Sequence, residues 1–370
     1  MKQILIIFLL SFNLLAVNYY NHELNKEKTT DKTVDYKKDK DSFIFIPGYT
    51  YSSGSGYYLL GTFLYYDKKE SSKFPNAFKA KIKYGSKQQF SFSLSTTRYF
   101  SNKNHQFSSS FTTGRYARTL YSPMGAKIVK EKSESYISSD NYLSISFRVK
   151  KYKGFYFGPN YTFSYYEIIE KEKGGILDNN EINGSENTIA SGFGLTISKE
   201  KRENSYYPSY GYFLSFNNYL YPQFLGSSSL YDSISLSYKT FHKLHTSIIF
   251  AFQFYSRAVF GDVPFQKLSY LGGETILRGY SPYKYADKRF IGTQAELRFR
   301  LFWRLSATLF AGIAQVSDSF LNYFDYPWKY STGFGFRFRL DPKDDINFRL
   351  DFAYNKDGDM YMYITTLEAF

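Results

Sequence analysis

Ile291-Gly292-Thr293-Gln294-Ala295-Glu296-Leu297-Arg298-Phe299-Arg300-Leu301 decides the fold. Ile291, Thr293, Ala295, Leu297, Phe299 and Leu301 alternate with Gly292, Gln294, Glu296, Arg298 and Arg300. A period of two is the signature of a strand, and it gives this one an apolar face and a charged face. The same reading applies on both sides. Phe334, Phe336, Phe338 and Leu340 oppose Gly333, Gly335, Arg337 and Arg339. Ile346, Phe348, Leu350, Phe352 and Tyr354 oppose Asn347, Arg349, Asp351 and Ala353. Towards the N-terminus, 76–84, 89–95 and 142–149 alternate in the same way, with Lys or Ser on the polar side.

A soluble sandwich also alternates, but it needs a second layer over each apolar face, and no segment is left to supply one. The segments run to about 10–13 residues against the usual ~5–6. Aromatic residues make up 21% of the chain, the load expected of the two interfacial girdles of a membrane barrel. No apolar run approaches the ~20 residues of a membrane helix. The expected fold is all-β, a sixteen-stranded antiparallel transmembrane barrel over 43–370 whose first strand is 43–51 and last 359–370. An even count returns both ends to one side. The longer connections 117–135, 169–186, 260–287 and 317–328 are expected outside, and the short ones at 151–153, 241–243, 302–303 and 356–358 in the periplasm.

Residues 1–16, a short basic start and an apolar run ending at Ala16, read as a signal peptide. Residues 17–42 are polar with balanced charge and are expected to be a disordered periplasmic tail. The chain has no cysteine, which excludes disulfides, thiolate metal sites and thiol catalysis. Its four histidines fall in the tail (His22), at an inner turn (His105) and at His242 and His245, which argues against a metal site and a rim hydrolase. No cofactor, no enzymatic activity and no nucleic-acid partner is expected. The net charge of +14 fits contact with glycolipid phosphates, although codon bias toward Lys explains it equally well.

Between the eleventh and twelfth strands lie Gly261-Asp262-Val263-Pro264-Phe265 and then Leu271-Gly272-Gly273-Glu274-Thr275-Ile276-Leu277-Arg278-Gly279-Tyr280. This resembles the sixth outer loop of the BamA/TamA superfamily (the bacterial surface antigen type), whose [V/L]-R-G-[F/Y] tip folds back into the barrel. Glu296-Leu297-Arg298-Phe299, Gly333-Phe334-Gly335-Phe336-Arg337 and Arg349-Leu350-Asp351-Phe352-Ala353 resemble its strands 12, 14 and 15, and the chain ends on Phe370. The resemblance covers about 205–370 well and the earlier strands only by pattern. It implies a lumen-loop motif at Leu277, Arg278, Gly279 and Tyr280, with a tight turn at Gly272 and Gly273. Glu296 and Asp351 become the expected anchors of Arg278, and Phe370 the expected assembly signal on the lipid side of strand 16. Gly312 stands where the family carries an Asp facing the loop arginine, and Gly312→Asp is expected to be tolerated. The 17–42 tail is too short for a POTRA domain, so a POTRA-less branch is implied.

Pro47 in strand 1 cannot donate a ladder hydrogen bond, which points to a weak seam between the first and last strands. The resemblance implies insertion or translocation of proteins or lipids at the bacterial outer membrane. Expected partners are outer-membrane lipids and lipopolysaccharide, together with client membrane proteins or periplasmic factors. A passive pore for small solutes and a structural surface protein remain alternatives, and the oligomeric state is open.

Overall fold

The computed structural model describes residues 42–52, 56–67, 76–100, 104–122, 124–126, 132–341 and 346–370. The signal-peptide and tail readings fall outside these residues, except for Ser42, which opens the first strand. Sixteen antiparallel strands form one closed barrel. They are β1 (Ser42–Ser52), β2 (Gly56–Asp67), β3 (Asn76–Gly85), β4 (Gln89–Phe100), β5 (His105–Ser122), β6 (Lys132–Lys150), β7 (Tyr156–Glu170) and β8 (Thr188–Glu200). There follow β9 (Gly211–Tyr221), β10 (Tyr231–His245), β11 (Ile248–Gly261), β12 (Arg289–Phe302), β13 (Leu305–Ser317), β14 (Lys329–Asp341), β15 (Ile346–Asn355) and β16 (Met360–Thr366). Each pairs with its neighbours in sequence, and β1 meets β16 to close the sheet. Closure pairs the lipid-facing backbone around the barrel, most sparsely between β1 and β16 among the described residues.

The alternation is read out as a fold turned inside out. Leu297, Leu309, Ile313, Phe334 and Phe336 are exposed on the outer surface, while Gln294, Glu296, Arg298, Arg337, Arg349 and Asp351 are buried. Phe336 lies in the middle of β14, so Phe336→Arg should destabilise the barrel by about 2–4 kcal/mol in urea unfolding from bilayers. Ser110→Arg, a lumen-side change on β5 opposite Ser95 and Ser144, should cost far less. Equal costs would mean that the two faces had been assigned wrongly.

Two connections differ from the sequence reading. The segment 241–243 lies inside β10, and the turn is the two-residue Thr246-Ser247. The 356–359 turn joins β15 to β16 and so sits at the end that carries the long loops. β5 and β6 are 18 and 19 residues long, well beyond the ~9–11 that span a bilayer, and rise past their neighbours. Their tops, through Leu120 and Tyr136, join an apolar cluster with Leu177, Val263, Phe265 and Leu268 from the long loops.

Candidate functional site

The tip of loop 262–288 bonds to side chains of β12, β15 and β16. A two-residue ladder, Ser269–Tyr270 against Ala286–Asp287, closes its base. Gly272 and Gly273 have φ of +101° and +94°, and a Cβ on Gly272 would sit 2.7 Å from the Tyr280 carbonyl oxygen. Only glycine fits that approach. Gly273 N–H donates to Tyr280 O at 3.1 Å. Leu277, itself at φ +49°, is buried with Leu271, Tyr280 and Phe290. Gly279 N–H donates to Tyr363 Oη at 3.0 Å, Asn355 Nδ2 to Gly279 O at 2.8 Å, and Tyr280 Oη to Tyr330 O at 2.9 Å. The tip is thereby fixed to β14, β15 and β16.

Arg278 has no solvent exposure. Its Nη2 donates to Glu296 on β12 and its Nη1 to Asp351 on β15. Its guanidinium carbon lies 3.6 Å from the centroid of Phe310 on β13. The stack uses the electron-rich ring face as a third partner. Glu296 also accepts from Arg298 Nε at 2.9 Å, and Asp351 from Arg337. Arg337 Nε donates to Glu368 Oε2 at 2.8 Å, and Arg349 Nε lies 3.6 Å from Asp351. Buried charges hold only when paired in this way. Arg300, by contrast, is exposed near the β12–β13 turn.

Gly312 faces the loop tip. A Cβ there would sit 3.2 Å from Leu277 Cδ1 and 3.1 Å from Gln294 Cβ. The expected tolerance of Gly312→Asp therefore requires the Leu277 and Gln294 side chains to give by a few tenths of an ångström. The sequence reading does not single out Phe310 or Tyr363 as partners of the loop, and it expects Glu368 to reach the headgroup layer from the last strand. For Glu368 a signal existed, because a carboxylate breaks the lipid-side alternation of β16.

The last residues correct the expectation of a strand reaching 370. β16 ends at Thr366, and Leu367 turns left-handed at φ +67° with its N–H on Asn347 O. The chain then enters the lumen. Glu368 finds Arg337 and Asn347 instead of the headgroup layer. Phe370 is buried 6.2 Å from Phe241, not on the lipid side, and its carbonyl accepts from Arg298 at 3.2 Å. A charged side chain leaving lipid for a buried guanidinium is the physical reason for the turn.

β1 and β16 share one registered pair among the described residues, Thr50 with Tyr363, whereas β1 and β2 share eleven. The Ser86 N–H to Tyr57 O bond shows that odd-numbered residues of β2 bond to β3. Regular alternation then turns the even residues of β2 to β1, and Gly48, paired with Leu60, turns back to β2. The backbone of Pro47 therefore faces β16, where its missing N–H removes a donor.

An Omp85 superfamily domain matches residues 72–362. No curated protein matches the sequence. Among solved structures, BamA from Haemophilus ducreyi lacking POTRA domains 1-3 has a TM-score of 0.56 at 15% identity, over 90% of this chain and 74% of that one. CdiB from Acinetobacter baumannii has a TM-score of 0.55 at 9% identity, over 89% of this chain and 60% of that one. CdiB from Escherichia coli has a TM-score of 0.55 at 10% identity, over 90% of this chain and 67% of that one. At these identities the likeness is one of fold. The family match covers most of the barrel, and the chain belongs to the Omp85 superfamily as a sixteen-stranded barrel of the bacterial outer membrane.

Proposed function

We propose that this barrel inserts or translocates proteins or lipids at the outer membrane by opening sideways between β1 and β16. The seam with its single registered pair carries the reading. Each ladder hydrogen bond absent from lipid-facing backbone lowers the cost of separation. Membership in the Omp85 superfamily supports a role in insertion or translocation in general. Arg278, Glu296 and Asp351 act in this reading as the anchor that holds loop 262–288 while the seam moves. Partners are outer-membrane lipids and lipopolysaccharide, with client membrane proteins or periplasmic factors. The role is not enzymatic.

Depletion followed by outer-membrane proteomics and a lipid-asymmetry assay tests this. The expected result is selective loss of one class of outer-membrane protein, or phospholipid appearing on the outer face. An unchanged proteome and unchanged asymmetry would overturn it. Planar-bilayer recording separates it from a passive pore: a lumen filled by loop 262–288 gives small, flickering currents, and an open pore gives large, steady ones.

A further inference from the structure

The lumen treats its cations in two ways. In the cluster around Arg278, the four buried arginines 278, 298, 337 and 349 share Glu296, Asp351 and Glu368. Away from it lies a cavity of about 970 Å³ between loop 262–288 and the barrel wall, lined by Lys83, Arg118, Lys239, Arg257, Lys267 and a single carboxylate, Glu274. Here the cations mostly have neutral partners. Lys267 Nζ donates to Ser164 Oγ at 2.8 Å and is ringed by Tyr142, Tyr166 and Tyr221. Arg257 donates to Leu268 O at 3.0 Å and to Ser269 Oγ. Lys83 lies over the Tyr58 ring at 5.9 Å. Among the described residues no carboxylate lies within ion-pair distance of Lys83, Lys239, Arg257 or Lys267; only Arg118 has one, Asp140.

In the Arg278 cluster every arginine lies within ion-pair distance of a carboxylate, whereas four of the five cations of the cavity do not, and Glu274 is the one acid on the cavity wall among the described residues. Like charges gathered in a low-dielectric concavity create a field that concentrates anions. The rest of the wall is rich in tyrosine, including Tyr166, Tyr255 and Tyr270, which offers flat apolar faces and hydroxyl groups together. The volume lies in the range of ligand pockets, about 300–1,000 Å³. We propose that this cavity is a binding site for a phosphorylated saccharide, with Lys83 and Lys239 taking phosphate oxygens and the tyrosines taking the sugar. The proposal does not depend on opening of the seam.

The test uses the purified barrel in detergent micelles, titrated by calorimetry with a deacylated glucosamine disaccharide bisphosphate. Trehalose serves as the neutral control. Saturable binding of the bisphosphate, weakened by added salt, is expected, with none of trehalose. Lys83→Gln with Lys239→Gln should weaken it about tenfold or more, as the loss of two charge-assisted contacts requires. Lys83→Arg with Lys239→Arg should retain it, and Lys153→Gln on the exposed β6–β7 turn should change nothing. The acylated bisphosphate in mixed micelles identifies the source. Tighter binding than the free form assigns the site to a lipid headgroup, and equal binding to a free sugar phosphate. Binding of the acylated form alone, binding of trehalose as tight as the bisphosphate, or no loss in a folded Gln pair would overturn the proposal. Should the Gln pair fail to fold, the wild-type comparison with trehalose and its salt dependence still decide.

Discussion

Oxidising a Tyr49→Cys, Ile364→Cys pair should abolish activity, and reduction should restore it. The chain has no cysteine, so these are the only thiols present. Thr50 faces Tyr363, and one further step of the antiparallel register puts Tyr49 opposite Ile364. Both belong to the lipid-facing rows, so the bridge leaves the bond from Gly279 to Tyr363 intact. By the same alternation that turns Pro47 outward, Tyr49 and Ile364 form a hydrogen-bonded pair, with Cα atoms about 5.5 Å apart. That separation falls within the range a disulfide spans. Phe45 would be a poorer choice, since the register carries it toward Glu368, which has already turned into the lumen. One covalent link across a single-pair junction outweighs every backbone bond the seam can lose, so the effect should be all or none. The measurement is growth under depletion of the native protein, with and without reductant, beside gel mobility of the cross-linked barrel. Full growth with the bridge closed would rule out lateral opening and favour a pore or a surface protein.

How much of this molecule can be read in its residues depends on what each residue faces. Where one face meets lipid and the other the lumen, period two is unbroken and boundaries follow closely: the connection expected at 260–287 is 262–288, between Gly261, the last residue of β11, and Arg289, the first of β12. Where loops cover the strand tops the contrast disappears. The outer connection expected from residue 117 begins only after Ser122, because Leu120 is buried against Phe265 and Leu268 of the long loops instead of alternating against solvent. The loop motif was legible through glycines whose positive φ leaves no alternative, at Gly272 and Gly273. The stack of Arg278 on Phe310 was not, since a phenylalanine in a lumen row has the same spacing as any other. The inward turn after Thr366 rests on Leu367, a residue with no local preference for a left-handed conformation, and on a partner, Arg337, that lies 31 positions away from Glu368.

Asp351→Asn should be the most damaging single change in the lumen, at about 3–5 kcal/mol, the cost of stripping the partner from a buried charge. Asp351 accepts from Arg278 and Arg337 and lies 3.6 Å from Arg349, all with almost no exposure. Asparagine keeps the shape and can still accept through one oxygen, yet it leaves Arg278 with Glu296, Arg337 with Glu368, and Arg349 with no carboxylate within ion-pair distance among the described residues. Screening does not help, because salt weakens interactions between exposed charges and these are sealed from solvent. The loss should therefore be nearly the same at low and high ionic strength. Glu368→Gln makes the comparison, since Glu368 serves Arg337 and the neutral Asn347, and it should cost clearly less. Urea unfolding in bilayers gives the energies, and a double-mutant cycle of Asp351→Asn with Arg278→Gln isolates the pair. Proteolysis of loop 262–288 gives the second readout: with its anchor weakened the tip should leave the lumen and be cut. A cost below about 1 kcal/mol with the loop still protected would assign the anchoring to the apolar packing of Leu271, Leu277 and Tyr280.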